Sequence, residues 1–290
     1  MSPIYVSEVL HMIICKNRTE LQTVVTDIQS QGKTIGFVPT MGALHKGHIS
    51  LIEQSVNQCN TTFASIFVNP IQFNNPLDLQ TYPRTIESDI TLLEQAGCDV
   101  VFIPEVSDMY PNGTAQTESY NFGTLETVME GAFRPGHFNG VAVVVKRLFN
   151  LIPATIAYFG LKDFQQVAVI RALVEQERIP IQIVACPTIR EADGLAMSSR
   201  NMRLTPEQRL QAVQISKTLF TAQQMAQKNS VEDVKKFVIN TLNNVPLLSV
   251  EYFEIVDQKT LQPVNTWNNP CVGCIAVNVG MVRLIDNVSL

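Results

Sequence analysis

Charge is sparse in this chain of 290 residues: 16% are Asp, Glu, Lys or Arg, and acids outnumber bases by 26 to 21, for a formal net charge of −5. A broad nucleic-acid surface draws its affinity from excess Lys and Arg displacing phosphate counterions, so none is expected, although one local anion site remains compatible with this balance. Long apolar runs are missing too. None reaches the roughly 18 residues that a membrane span needs. The N-terminus has no charged n-region and sets Glu8 where a signal peptide would be unbroken and apolar, so secretion is not expected. Six cysteines are too thinly spread for a disulfide scaffold. The tightest pair, Cys271 and Cys274, lacks the two further ligands of a zinc site, and on a strand the two side chains would face opposite ways. Buried, inert thiols are expected instead. What the chain does have is apolar substance, 46% of residues, enough for a sizeable core and too much for disorder. The expectation is a cytoplasmic protein without nucleic-acid or membrane partners and without a metal held by protein side chains.

Residues 34–39 read as a short buried strand, followed by a turn-rich stretch and an apolar-periodic helix through Ile49, Ile52 and Val56. A strand over 61–69, a helix over 85–96 and a strand over 98–104 come next. Residues 105–140 lack periodicity and are rich in glycine, as functional or irregular loops are. Beyond them the pattern predicts helix 141–152, strand 155–161, helix 163–178 and strand 181–187. This alternation predicts an α/β fold with a parallel sheet, because parallel strands need crossovers. The pattern then changes to two helices, over about 206–227 and 231–243, and three strand-like runs at 249–257, 271–279 and 282–286. That order predicts a second, smaller α+β domain, with 1–187 and 188–290 as the two parts.

Three clusters at strand ends carry chemistry. Pro39-Thr40-Met41-Gly42-Ala43-Leu44-His45-Lys46-Gly47-His48 joins the first strand to the first helix, the place where α/β sheets bind ligands. His45 and His48 share a face if the helix has begun, and the helix start adds attraction for phosphate. Each imidazole can donate to a phosphate oxygen, with a charge that rises as anionic charge develops. The bland alternative is two surface histidines on a turn, one of them a cap. Gly160-Leu161-Lys162-Asp163-Phe164-Gln165-Gln166 offers a point charge for phosphate, an acceptor for ribose hydroxyls and polar amides, or else an ordinary turn capped by Asp163. Arg190 to Asn201 carries Met197-Ser198-Ser199-Arg200, two hydroxyls beside a guanidinium that suit separating phosphates, or a polar linker. Asn69, Gln72 and Gln165 or Gln166 could read a hydroxyl- and carboxylate-bearing substrate; single amides are otherwise surface residues.

PTMGALHKGH resembles the His-x-Gly-His signature of nucleotidylyl transferases, relatives of class I aminoacyl-tRNA synthetases. With FVNPIQF (67–73), YPRT (82–85), EGAFRPGHFNGV (130–141), YFGLKDFQQ (158–166) and READGLAMSSRN (190–201) in that order, the chain from about residue 12 to 203 resembles the pantoate–β-alanine ligases. The resemblance implies a Rossmann-like N-terminal domain with a C-terminal lid domain, usually as a homodimer. It implies ATP, Mg²⁺, pantoate and β-alanine as reactants, joined through a pantoyl adenylate with release of AMP and pyrophosphate. Carried over residue by residue, Met41, Gly42, Ala43, Leu44, His45, Lys46, Gly47 and His48 line the ATP site, with His48 as proton donor. His45 and Lys162 act on the phosphates. Gly160, Leu161, Lys162 and Asp163 hold ribose and phosphate, Ile189 touches adenine, and Met197, Ser198, Ser199 and Arg200 close over the triphosphate. Gln72 and Gln166 bind pantoate, Gln72 also β-alanine. Arg134 and His137 are expected in the lid, and Asp89 beside Mg²⁺. Residues 1–11 are expected to be an extension or a start-site artefact.

Other readings remain open on sequence alone. A different His-x-Gly-His transferase would lack the FVNPIQF and GLKDFQQ pair, a synthetase-like RNA binder would want a basic face, and a non-catalytic module would need fewer charged contacts.

Overall fold

The computed structural model describes residues 12–115 and 117–290; residues 1–11, with the expected extension and His11, lie outside them. Strands β1 (Ile13–Cys15), β2 (Ile35–Thr40), β3 (Thr61–Ile66), β4 (Val100–Phe102), β5 (Ile156–Gly160) and β6 (Gln182–Cys186) form one sheet in the order β1-β4-β3-β2-β5-β6. Every pairing is parallel. Side chains alternate across it. Phe37, Phe63 and Val100 enter the core beneath α1 (Arg18–Ser30), while their neighbours Val38, Ala64 and Val101 enter a second core beneath α2 (Lys46–Gln58). Burial on both faces is why these strands read as apolar runs rather than alternating ones. The chain winds one way through β2, β3 and β4, then restarts beside β2 with β5. The strand order therefore reverses between β2 and β5, the crevice where open α/β sheets take their ligands.

Two expectations need correction. The strand expected over 61–69 stops at Ile66, because Pro70 opens a short 3-10 turn (Pro70–Gln72). The stretch 105–140 is not featureless. After α3 (Pro76–Gln80) and α4 (Ile86–Gln95) it holds α5 (Val106–Met109), a 3-10 turn at Gly123–Glu126, α6 (Met129–Phe133) and the first residues of α7 (His137–Leu151). Gly140 of α7 lies against the backbone of Ile71 and Gln72, where a Cβ would come within 2.7 Å of the Ile71 carbonyl oxygen, so the helix packs there only because it is Gly. Sequence periodicity also does not reveal β1 and α1, whose buried contribution is limited to Leu21, Val25 and Ile28 in the helix and Cys15 in the strand.

After α8 (Phe164–Gln176) and β6, a capping box of Thr205 and Gln208 with Pro206 at the first position starts α9 (Pro206–Met225); α10 (Val231–Asn243) follows. Both cover one face of the antiparallel sheet β7-β8-β9 (Leu248–Asp257, Cys271–Val279, Val282–Ser289). Its other face, with Tyr252, Val256 and Cys274, packs on Met129 of α6 and Phe164 and Ala168 of α8. Cys271 faces the helical layer and Cys274 the opposite one. Among the described residues no helix is long and apolar enough to cross a membrane.

Charge is buried where the two parts meet. Glu130 accepts from Arg283 Nη2 at 2.7 Å and Nη1 at 2.9 Å, from the Tyr252 hydroxyl at 2.8 Å and from Arg134 at 3.3 Å. Burial opposes its ionisation, but the Arg283 and Tyr252 bonds with the Arg134 charge more than offset that and hold its carboxyl at about 2, against 4.5 for a free one. A depressed folded value means stabilisation that is complete above about pH 4.5 and lost as pH falls through about 2. On this basis it is worth on the order of 3 kcal/mol. Glu130→Ala should lower stability by about 3 kcal/mol at pH 7, since it removes the acceptor shared by Arg283, Tyr252 and Arg134 and leaves Arg283 paired with Glu251 alone, and urea unfolding should show the mutant's deficit shrinking toward pH 2. An equal deficit at pH 7 and pH 2 would remove the electrostatic explanation.

Candidate active site

The turn after β2 is built on two consecutive left-handed residues, Gly42 (φ 78°) and Ala43 (φ 50°). Ala resists that conformation, so something must hold it. Asp89, 1% exposed at the start of α4, does so: its Oδ2 accepts from Ala43 N at 2.9 Å and its Oδ1 from Leu44 N at 2.8 Å, with Thr85 Oγ1 donating at 3.0 Å. The expectation that Asp89 serves Mg²⁺ is therefore corrected. Both of its oxygens are engaged by the turn.

The turn delivers His45 as N-cap of α2. His45 Nδ1 accepts from Gly47 N at 3.1 Å, and His48 Nδ1 accepts from His45 N at 3.3 Å, a capping box made of two imidazoles. An accepting Nδ1 leaves the hydrogen of a neutral ring on Nε2, so both histidines offer an Nε2–H. Their centroids stand 4.1 Å apart. Burial, aided by the nearby Lys162 charge, lowers His45 to about 4; burial, with His45 and Lys162, pushes His48 well below its usual range. The rings are neutral donors at neutral pH.

One cleft at the strand-order reversal brings together Met41, His45, Gly47, His48, Gln72, Gly160, Lys162, Asp163, Gln166, Ile189 and Met197 to Arg200. Gly42, Ala43, Leu44 and Leu161 shape the turns without lining it, and Lys46 is exposed on the first turn of α2. Lys162 Nζ lies 3.2 Å from Asp163 Oδ1. The segment after β6 folds as a small hairpin, with Met197 N donating to Ile189 O at 3.0 Å. Ser198 Oγ accepts from Arg200 N at 3.3 Å and so braces the loop itself, while Ser199 Oγ donates to Ala43 O at 2.9 Å and ties the loop to the turn after β2. Asp78 of α3 grips Arg200 Nη2 at 2.7 Å and Arg203 Nη1 at 2.6 Å. Burial works against ionisation of Asp78, but the two guanidiniums more than offset it and hold the carboxyl below its usual range.

The same cleft also has an apolar lining of Phe67, Val141, Val144, Val145 and Leu148, and Gln72 is among its polar residues. Gln72 is held from three sides. Its Oε1 accepts from Asn69 Nδ2 at 3.0 Å, its Nε2 donates to Met41 Sδ at 3.0 Å, and its carbonyl accepts from His137 Nδ1 at 2.8 Å. The Tyr110 hydroxyl fixes Asn69 by donating to Oδ1 at 2.6 Å. Arg134 Nη1 stands 3.1 Å from His137 Nε2 and its Nη2 donates to the Gln72 carbonyl at 3.4 Å. Arg134 and His137 thus brace the floor beneath Gln72 rather than sitting in a lid. The adjacent amides separate cleanly. Gln165 is buried and bonds the backbones of Leu125, Val128 and Glu130, whereas Gln166 lines the cleft. Tyr110, Asp78 and Tyr82, the last of which also lines the cleft, were not singled out by sequence reasoning; Tyr82 alone left a signal, inside YPRT.

A family model described as pantoate-beta-alanine ligase matches residues 13–289. The chain is 51% identical over 271 residues to the pantothenate synthetase of Bacteroides fragilis strain YCH46, covering 93% of this chain and 95% of that one. It is 50% identical over 279 residues to the pantothenate synthetase of Porphyromonas gingivalis strain W83, covering 96% and 99%. Among solved structures, the pantothenate synthetase of Thermus thermophilus superposes with a TM-score of 0.90 at 41% identity, over 96% of this chain and 99% of that one. The Francisella tularensis pantoate-beta-alanine ligase, solved with beta-gamma ATP and beta-alanine, gives 0.81 at 37% identity, over 96% and 97%.

The tautomers are directly measurable. In ¹H–¹⁵N spectra of the ligand-free protein, His45 and His48 should each show a protonated Nε2 and a bare Nδ1 from about pH 5.5 to 8, without titrating. Titration of either ring near the ordinary value of about 6.5 would overturn the assignment.

Proposed function

Because the chain belongs to the pantoate–β-alanine ligase family, we propose that it condenses (R)-pantoate with β-alanine to pantothenate, converting ATP to AMP and pyrophosphate. The observation that carries this reading is the composition of one cleft: two Nε2–H donors, Lys162 and Arg200 together with Gln72, Gln166 and a set of apolar side chains. A carboxylate is a poor electrophile, which is why two steps are needed. A pantoate carboxylate oxygen attacks the α-phosphorus and pyrophosphate leaves. The free amine of β-alanine then attacks the acyl carbon, and AMP leaves with the C–O bond electrons. The first step asks the protein for positioning and charge stabilisation. Neutral imidazoles are suited to this, since their hydrogen bonds strengthen as charge grows on the phosphate oxygens, without a prior protonation. With its ring neutral, His48 is a hydrogen-bond donor in the first step, and the proton-donor role implied by the resemblance rests on that same Nε2–H. Gln72 and Gln166 read pantoate, and the valines and Phe67 exclude water from the mixed anhydride.

Mg²⁺ belongs to this reading as an ion carried by the triphosphate, where it would neutralise charge. Among the described residues no group of three His, Cys, Asp or Glu side chains is placed to hold a metal, and Asp89 and Asp78 are already engaged. Such a site fits an ion that keeps its waters and takes substrate oxygens. A division of the chain into 1–187 and 188–290, a homodimer and a cytoplasmic location are part of the same proposal. The first is supported by the separate helical core of the C-terminal part, the others by the family.

The deciding experiment follows AMP from ATP and Mg²⁺ with both acids, then with each omitted. Sustained AMP release requiring both, together with pantoate-dependent exchange of pyrophosphate into ATP, is the expected result; folded protein that releases no AMP under any combination overturns it. His45→Ala and His48→Ala should each slow adenylation by roughly 10²–10³, the scale for one preorganised donor. Gln72→Ala should raise the KM for pantoate by about tenfold or more while leaving that for ATP within about twofold, as expected for one lost buried hydrogen-bonding group. Equal losses for both ligands would remove Gln72 from the pantoate site.

A further inference from the structure

Two neighbouring residues near the end of β9 reach back to the two turns that carry the cations of the cleft. Asp286 takes both terminal nitrogens of Arg190, at 2.7 and 2.9 Å, at the base of the hairpin that delivers Met197 to Arg200. Asn287 turns to the other side. Its Nδ2 donates to the Leu161 carbonyl at 2.8 Å and to the Lys162 carbonyl at 2.9 Å, using both amide hydrogens. Two carbonyl oxygens fix the orientation of that amide, since the reverse flip would set oxygen against oxygen. The Asn287 carbonyl also accepts from Arg190 Nη2 at 3.2 Å, so a single residue touches both turns.

The placement matters because Lys162 cannot fix itself. Its ammonium is a point charge on a flexible four-carbon stem, paired with the adjacent Asp163 carboxylate on the same turn. Where the charge can reach depends on where the backbone of residues 161 and 162 is held. We infer that Asn287 is a positioning residue for Lys162: its amide fixes the two carbonyls from which the ammonium extends toward the nucleotide phosphates, which makes the last strand of the chain part of the ATP site. This inference rests on the adenylation reading above.

The test is a double-mutant cycle on the full chain, with Asn287→Ala, Lys162→Ala and the double variant. Mg·ATP affinity is measured by calorimetry and, where activity remains, ATP and pantoate KM by pyrophosphate exchange. Asn287→Ala should weaken Mg·ATP binding by about tenfold, the factor expected when about one net hydrogen bond of positioning is lost. The pantoate KM should stay within about twofold, and in the Lys162→Ala background the same substitution should change ATP affinity by less than about twofold. The same factor in both backgrounds overturns the inference, as does a lowered thermal midpoint with unchanged ATP affinity, which is what a purely structural contact would give. If Asn287→Ala does not fold, Asn287→Ser, which keeps one donor, goes through the same cycle under the same criterion. Wild-type protein without pantoate-dependent exchange would instead defeat the adenylation reading, whatever Asn287 does.

Discussion

A buried carboxylate holding two peptide N–H groups is the constraint from which the site follows. Without Asp89, a left-handed Ala43 beside a left-handed Gly42 has nothing to repay its strain. With it, the chain leaves β2, reverses, and enters α2 with His45 at the cap. The cap determines the rest: the Nδ1 atoms are consumed by backbone donors, which commits the opposite edges of both rings to the cleft's chemistry. Ser199 then ties the far loop to the same turn through the Ala43 carbonyl. One buried carboxylate thereby holds the turn that leads into both rings and that receives a loop more than a hundred residues away.

The C-terminal part is joined to the rest by charge as much as by apolar contact. Glu130 with Arg283 and the Asn287 amide with two carbonyls cross between the parallel sheet and the smaller one, while Asp286 ties the Arg190 hairpin to β9. Each such bond is satisfied on both sides, and removing one partner leaves a costly unpaired group. A lid motion about residue 187 would have to break several of these at once, whereas movement of the exposed segment around α3, which meets the cleft through Asp78 and Arg200, disturbs a single cluster.

Much of the fold was legible because burial writes itself into composition. The helix read over 231–243 and the strand over 271–279 carry strong apolar patterns and stand where they were expected. β1 and α1 were not read, because a three-residue edge strand with two exposed isoleucines and a helix with three buried side chains offer little contrast. At the site, the spacing of His45 and His48 at a strand end was readable, as were Lys162 and the Met197–Arg200 run. Asp89 was legible as a carboxylate but not as a partner of backbone groups 45 residues away, so its role was misread. Gln165 and Gln166 look alike in sequence; helix geometry alone turns one into the interior and the other to the cleft. Asp78 and Asn287 act on partners more than a hundred residues distant, a relation that a single sequence does not display.

The reversal of strand order between β2 and β5 has a consequence for how much of the site mutation can erase. Both strands run the same way and each leads into a helix, so the first turns of α2 and α8 open toward the same crevice. Each helix start carries roughly half a positive charge from its aligned peptide groups. That contribution belongs to the main chain. An anion seated between the two helices would keep this share of its stabilisation after His45, His48 and Lys162 had all been truncated, so a stripped cleft is left with a floor of phosphate affinity written in topology rather than in side chains.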